Sequence, residues 1–329
     1  ATTGVAAIRC NTKGVNAIKE GSFTSLTAGG NVFSVSSIDY VFYLNAVTST
    51  AAAIRFPDVD SPDSPTNYLT GTCTVGDASN ESHWRFDDGY TFKCANSSLV
   101  TVTRGSIWGT QESKPTFQSV NASPAYTAWT GLRDNGTTYA NVFGDIGPFA
   151  HLAVRDASFG VDVDKYHASA SPIAGKTMRL PGIIAKHCDY GIRVKNSNTG
   201  TIIVETADSG GLSSDPNQTR CLHVSGGKVI IDNCDLKGLP STGTMMLVEG
   251  VNSIGYDVLV RNTRVTGAAS TGIQFSTSQG TASATMERCL VSGTSATIGT
   301  AVYVYQANTH TPARAFTMRN CYVTGTSAG

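Results

Sequence analysis

The stretch Ile231-Asp232-Asn233-Cys234-Asp235-Leu236-Lys237-Gly238 decides the fold, because it recurs. Each copy is an apolar residue, a charged one, a polar one, a small residue or Cys, then an apolar residue and often Gly. Downstream copies are Val260-Arg261-Asn262-Thr263-Arg264-Val265-Thr266-Gly267, Met286-Glu287-Arg288-Cys289-Leu290-Val291-Ser292-Gly293 and Met318-Arg319-Asn320-Cys321-Tyr322-Val323-Thr324-Gly325. Upstream copies are Val154-Arg155-Asp156-Ala157-Ser158-Phe159-Gly160, Ala185-Lys186-His187-Cys188-Asp189-Tyr190-Gly191 and Val204-Glu205-Thr206-Ala207. The small residues at 157, 188, 207, 234, 263, 289 and 321 are separated by 31, 19, 27, 29, 26 and 32. Strand-like units recurring at roughly 20–50 residues describe a solenoid, in which each unit buries its apolar side against its neighbours.

Within a copy, apolar and polar residues alternate with the period of a strand buried on one face. A second strand follows most copies, as in Gly191-Ile192-Arg193-Val194, Cys221-Leu222-His223-Val224 and Ala301-Val302-Tyr303-Val304. Two or three strands in about 27 residues predict one coil of a parallel β-helix, with coils stacked about 4.8 Å apart. Stacking turns the phrase into files. The charged position predicts an outward ladder of Arg155, Lys186, Glu205, Asp232, Arg261, Glu287 and Arg319. The polar position, with Asn233, Asn262 and Asn320, suits a tight bend. The small position predicts an inward structural ladder of Ala157, Cys188, Ala207, Cys234, Thr263, Cys289 and Cys321, followed by a second inward file through Phe159, Tyr190, Leu236, Val265, Val291 and Val323.

The pattern resembles the right-handed, single-stranded parallel β-helix of pectate-lyase-like proteins, above all the tailspikes of bacteriophages, over residues 150–329. The expected fold is all-β, with residues 99–329 as the parallel β-helix and residues 1–98 as an irregular β region, either an irregular stretch of the same helix, the favoured reading, or a separate capping or attachment region. By resemblance the chain is a virion protein and a homotrimer, contacting other virion proteins and a host-surface polysaccharide, on the tail or the capsid surface after assembly in the host cytoplasm.

Composition narrows the partners. The chain of 329 residues carries 24 acidic and 24 basic side chains, so bulk charge gives no pull on nucleic acid. No stretch approaches the ~20 apolar residues of a membrane span. No secretion signal is visible, and the last copy stops inside a coil, so that either residues are missing or another subunit covers the end; the second favours an oligomer. Of the eight cysteines, those of the inward file are separated by more than a disulfide spans, except 289 and 321, so buried free thiols are expected. The Cys-x-x-Cys metal pattern is absent, and no metal or cofactor is expected.

Candidate chemistry is sparse. Glycoside hydrolysis needs two carboxylates about 5–9.5 Å apart, and Glu205 with Asp232 is the adjacent acidic pair of the outward ladder. A solvated, salt-bridged face is the competing reading. Asp162 and Asp164 near Arg193, and Asp87-Asp88 beside Trp84, are further acidic positions. The Arg-x-Pro-x-x-Arg run of lyases and the Gly-His-Gly run of polygalacturonases are absent, and His151, His187 and His223 stand isolated in sequence. For glycan stacking, Trp84, Trp108, Trp129 and Tyr303 are the candidates, with Tyr126, Tyr139 and Tyr305 behind them; the alternative places the tryptophans in the core. Three functions remain: a virion spike recognising host glycan, with or without depolymerase activity; a non-enzymatic head decoration; and a pectin-lyase-like carbohydrate-active enzyme. If the protein is an enzyme, it is a polysaccharide hydrolase or lyase.

Overall fold

A computed structural model describes residues 6–14, 40–49, 54–56, 67–87, 89–121, 128–135, 138–166, 172–197, 199–210, 219–238, 243–250, 254–267, 271–277, 281–293, 300–306 and 314–324. The described residues form a parallel β-solenoid without a helix. Each coil supplies one short strand to each of three faces. A representative coil runs Thr201–Glu205 on the third face, Asp208–Gly210 on the first and Arg220–Ser225 on the second, before Gly227–Asp232 returns to the third. Pairing between coils is parallel and in register, as in Glu205 with Asp232, Ser209 with Leu236 and Val224 with Val248. Partners one turn apart are 27, 29 and 26 residues apart in sequence, from Glu205 to Asp232, Arg261 and Glu287.

Alternation sets the inside of each coil. In Gly227–Asp232, Val229 and Ile231 are buried while Lys228 and Asp232 look outward. In Ala282–Glu287 the inward residues are Ala282, Ala284 and Met286. β-branched side chains suit such half-buried pleats. The same stacking is in place well before the repeat phrase becomes recognisable: Cys73 pairs with Val100, Leu69 with Cys94 and Trp84 with Ile107. The core there is aromatic, with Phe56 stacked on Phe86 (4.2 Å between ring centroids) and Phe92 on Phe117 (5.2 Å). Most of the acidic, Pro-rich stretch 57–67 lies outside the described residues.

Corners are made by single residues in the left-handed conformation. Thr206, Asn233, Asn262, Arg288 and Asn320 have φ between 50° and 53° and turn the chain from the third face to the first. Four of these five N–H groups donate to the carbonyl of the charged residue one coil on: Thr206 to Asp232, Asn233 to Arg261, Asn262 to Glu287 and Arg288 to Arg319, at 3.0–3.1 Å. The corner therefore bends the strand without losing a ladder hydrogen bond. Asn fits because its side chain tolerates this conformation.

Here one expectation is corrected. The first two phrases sit at a different corner, between the first face and the second: Arg155 pairs with Lys186, and Asp156 (φ 61°) and His187 (φ 55°) make the bend. Lys186 then pairs with Gly210, not with Glu205. Cys188 accordingly leaves the file of Cys234, Thr263, Cys289 and Cys321, and its coil presents Ile183 at the position below Ala207. Phe159 and Tyr190 likewise belong to the second face, whereas Leu236, Val265 and Val291 belong to the first. The 19-residue gap between Cys188 and Ala207 is the passage from one corner to another within a single coil, through Tyr190–Asn196 and Thr201–Glu205. The local phrase is shared because both corners need the same items in the same order: an outward side chain, a left-handed residue, and a small inward one.

Candidate functional site

The third-face corner brings Glu205 and Asp232 together as direct neighbours on adjacent coils. Each carboxylate is held by its own arginine. Arg179 donates to Glu205 through Nε (2.8 Å) and Nη2 (2.6 Å), a bidentate pair, and also faces Asp145 at 3.5 Å. Arg261 donates to Asp232 Oδ2 at 2.8 Å, and the Asn262 amide donates to Oδ1 at 2.9 Å. Burial raises the Asp232 pKa, but the donors from Arg261 and Asn262 outweigh it and leave the carboxyl below its usual range. A general acid needs the opposite displacement. The arrangement offers two neutralised carboxylates side by side on a ladder whose signs alternate only beyond them, at Arg261, Glu287 and Arg319.

A second set of outward files runs along the second face, and the repeat phrase gave no signal for it. One file reads Arg133, Asp162, Arg193, His223, Leu247, Gln274 and Tyr303 in successive coils. A parallel file reads Asp164, Lys195, Ser225, Glu249, Ser276 and Tyr305. Asp162 is buried and receives Arg193 from above (2.8 and 2.6 Å) and Arg133 from below (3.2 Å). Arg193 also covers the Phe159 ring at 4.2 Å, Phe159 stacks on Tyr190 at 5.5 Å, and Arg220 covers Tyr190 at 5.6 Å. His223 donates through Nε2 to Glu249 Oε1 at 2.8 Å, and this contact holds the Glu249 carboxyl below its usual value. His223 is therefore paired, as is His187, whose Nδ1 meets Asp156 on the coil below. Asp164 pairs with Lys195 at 3.2 Å. The acidic positions of this face are tied into ion pairs between coils.

The aromatic candidates separate. Trp84 and Trp129 are 0% exposed; their indole N–H groups donate to Ser49 Oγ (3.0 Å) and to the Arg155 carbonyl (2.8 Å). Both serve the core and cannot stack on a ligand. Trp108 is half-buried, donates to the Gly147 carbonyl at 2.8 Å, and carries the Arg85 guanidinium 3.5 Å above its ring. Burial lowers the Arg85 pKa to about 10. Tyr303 and Tyr305 are each 41% exposed and stack at 5.9 Å with an interplanar angle of 23°. Tyr139 donates its hydroxyl to the Ala78 carbonyl at 2.9 Å. Tyr126 and Asp88 lie outside the described residues.

Cys73, Cys94, Cys188, Cys221, Cys234 and Cys289 are buried free thiols, and Cys321 is a half-buried one. Burial pushes the thiols of Cys188, Cys221 and Cys234 up to about 12, far from the thiolate form that metals and electrophiles need. Among the described residues, no three His, Cys, Asp or Glu side chains gather as a metal site. Compared with known protein families, curated proteins and solved structures, the chain matches none.

Proposed function

We propose that the chain is the rigid, non-catalytic shaft of a spike or decoration displayed on a virion surface. The observation that carries this reading is the state of the acidic pair. Glu205 and Asp232 are neighbours, yet each is held by an arginine of its own. The same closure by ion pairs recurs on the second face at Asp162 and Asp164. Outer files locked along the stacking direction support a scaffold rather than a reaction centre. The likeness of the repeat to tailspike coils supports the virion setting, and a homotrimer is the expected assembly.

The protein, incubated with bacterial surface polysaccharide, should release no reducing ends, and purified virions should carry it at the head or tail surface by antibody labelling. Cleavage that disappears in Glu205→Gln or Asp232→Asn, with the fold retained, would overturn the reading.

A second reading, glycan recognition, rests on Tyr303 and Tyr305, whose stacked and exposed rings suit a sugar face. Loss of polysaccharide retention in Tyr303→Ala, with unchanged stability, would favour recognition; no retention by the unmodified protein would remove it.

A further inference from the structure

The solenoid interior holds one cluster that neither the core nor the outer files explain. Lys165, at the end of Ala157–Lys165, and Asp134, at the end of Trp129–Asp134, meet one coil apart, both 0% exposed, with Nζ 2.5 Å from Oδ2. Asp134 Oδ1 accepts the Asn141 amide N–H at 2.7 Å. Asn141 is itself fixed: its Nδ2 also faces the Thr103 carbonyl (3.3 Å), its Oδ1 accepts the Gly105 N–H (3.0 Å), and its backbone is left-handed at φ 47°. Lys165 Nζ further donates to the Tyr139 carbonyl at 2.9 Å. Beyond the Lys165 amine, Asp134 Oδ2 meets no hydrogen-bond donor.

We propose that Lys165 and Asp134 condense to an intramolecular isopeptide bond, a covalent staple between neighbouring coils. Burial acts on both partners in the useful direction, lowering the Lys165 pKa and raising that of Asp134. The pair can therefore pass a proton and meet as free amine and carboxylic acid. Nζ attacks Cγ to give a tetrahedral adduct, whose developing negative charge on Oδ1 is met by the Asn141 N–H. The Nζ–Cγ bond forms, the Cγ–Oδ2 bond breaks, Oδ2 leaves as water with the proton released by nitrogen, and an amide remains. No oxidant or further reactant is required. Fixed proximity replaces an encounter between two side chains, and a dry interior favours loss of water. The alternative fate, a permanent ion pair with both charges desolvated, is the costlier state for a site without solvent.

The intact mass of the denatured, purified chain decides the matter. A staple makes the chain one water lighter than its sequence, and the Lys165→Arg chain returns to its full sequence mass. Trypsin then fails to cut after Lys165 and leaves residues 134–155 joined to residues 156–176. A full sequence mass, with cleavage after Lys165, overturns the proposal. So does a water deficit mapped to another pair, or a loss of ammonia joining Lys165 to Asn141. These readouts need no folded variant, because the unmodified chain carries the answer.

Discussion

At the residue scale, burial divides side chains that the sequence presents alike. Trp129 is enclosed and hydrogen-bonded to the Arg155 carbonyl, so Trp129→Ala should cost about 3–5 kcal/mol in thermal or chemical unfolding. Tyr303→Ala, at an outward exposed position, should stay within about 0.5 kcal/mol. The distinction was within reach of the sequence for Trp84: in Ser82-His83-Trp84-Arg85-Phe86 it shares its side of the strand with Ser82 and Phe86, and all three are buried. Trp129 offered less, because the strand bulges beside it. Gly131, with φ 114°, takes its place against the Phe159 carbonyl, where a Cβ would lie 1.7 Å away. Such a contact is long-range and leaves no local mark. Glu249 gives a pH test. Its contact with His223 holds its carboxyl below the usual 4.5, so its contribution is complete above that value and fades as the pH falls through the lower folded one. The melting temperature should decline on acidification below about pH 4.5, and Glu249→Gln should flatten that part of the profile.

At the scale of the element, the corner governs what could be read. A tight bend between two strands imposes the order of outward, left-handed and small inward residues wherever it occurs. Asp156 and His187 at one corner and Asn233 and Asn262 at another therefore look the same in sequence. The parallel stacking was legible from this phrase, and the identity of the corner was not. The one clue was the short gap before Ala207. Ion pairs were equally hidden: Arg179 lies two positions before the residue that faces Glu205, a diagonal relation visible only once the register is known. Corner chemistry also makes a prediction. Thr206 is β-branched and held at φ 50°, a conformation that Asn accepts far better. Thr206→Asn should stabilise the protein by about 1 kcal/mol in equilibrium unfolding.

On the scale of the whole molecule, each coil touches only its neighbours, and stability is close to a sum of coil and interface contributions. Deleting residues 234–262 joins Asn233 to Thr263, two positions that occupy equivalent corners, and removes one complete turn. Circular dichroism should show a folded β protein with a lower melting temperature. Deleting about half as many residues from the same point would set first-face strands against second-face strands and should abolish the cooperative transition. Folding of both deletions alike would argue against a register fixed by corners. The hydrogen bonds that join the coils all lie along the stacking direction, as the parallel pairings of Gly227–Asp232 with Tyr256–Arg261 and of Tyr256–Arg261 with Ala282–Glu287 illustrate. Force therefore meets a material with a grain. Tension along the axis opens one rung after another from an end, whereas compression presses every rung more tightly onto the next, so a particle of this build withstands a push far better than a pull.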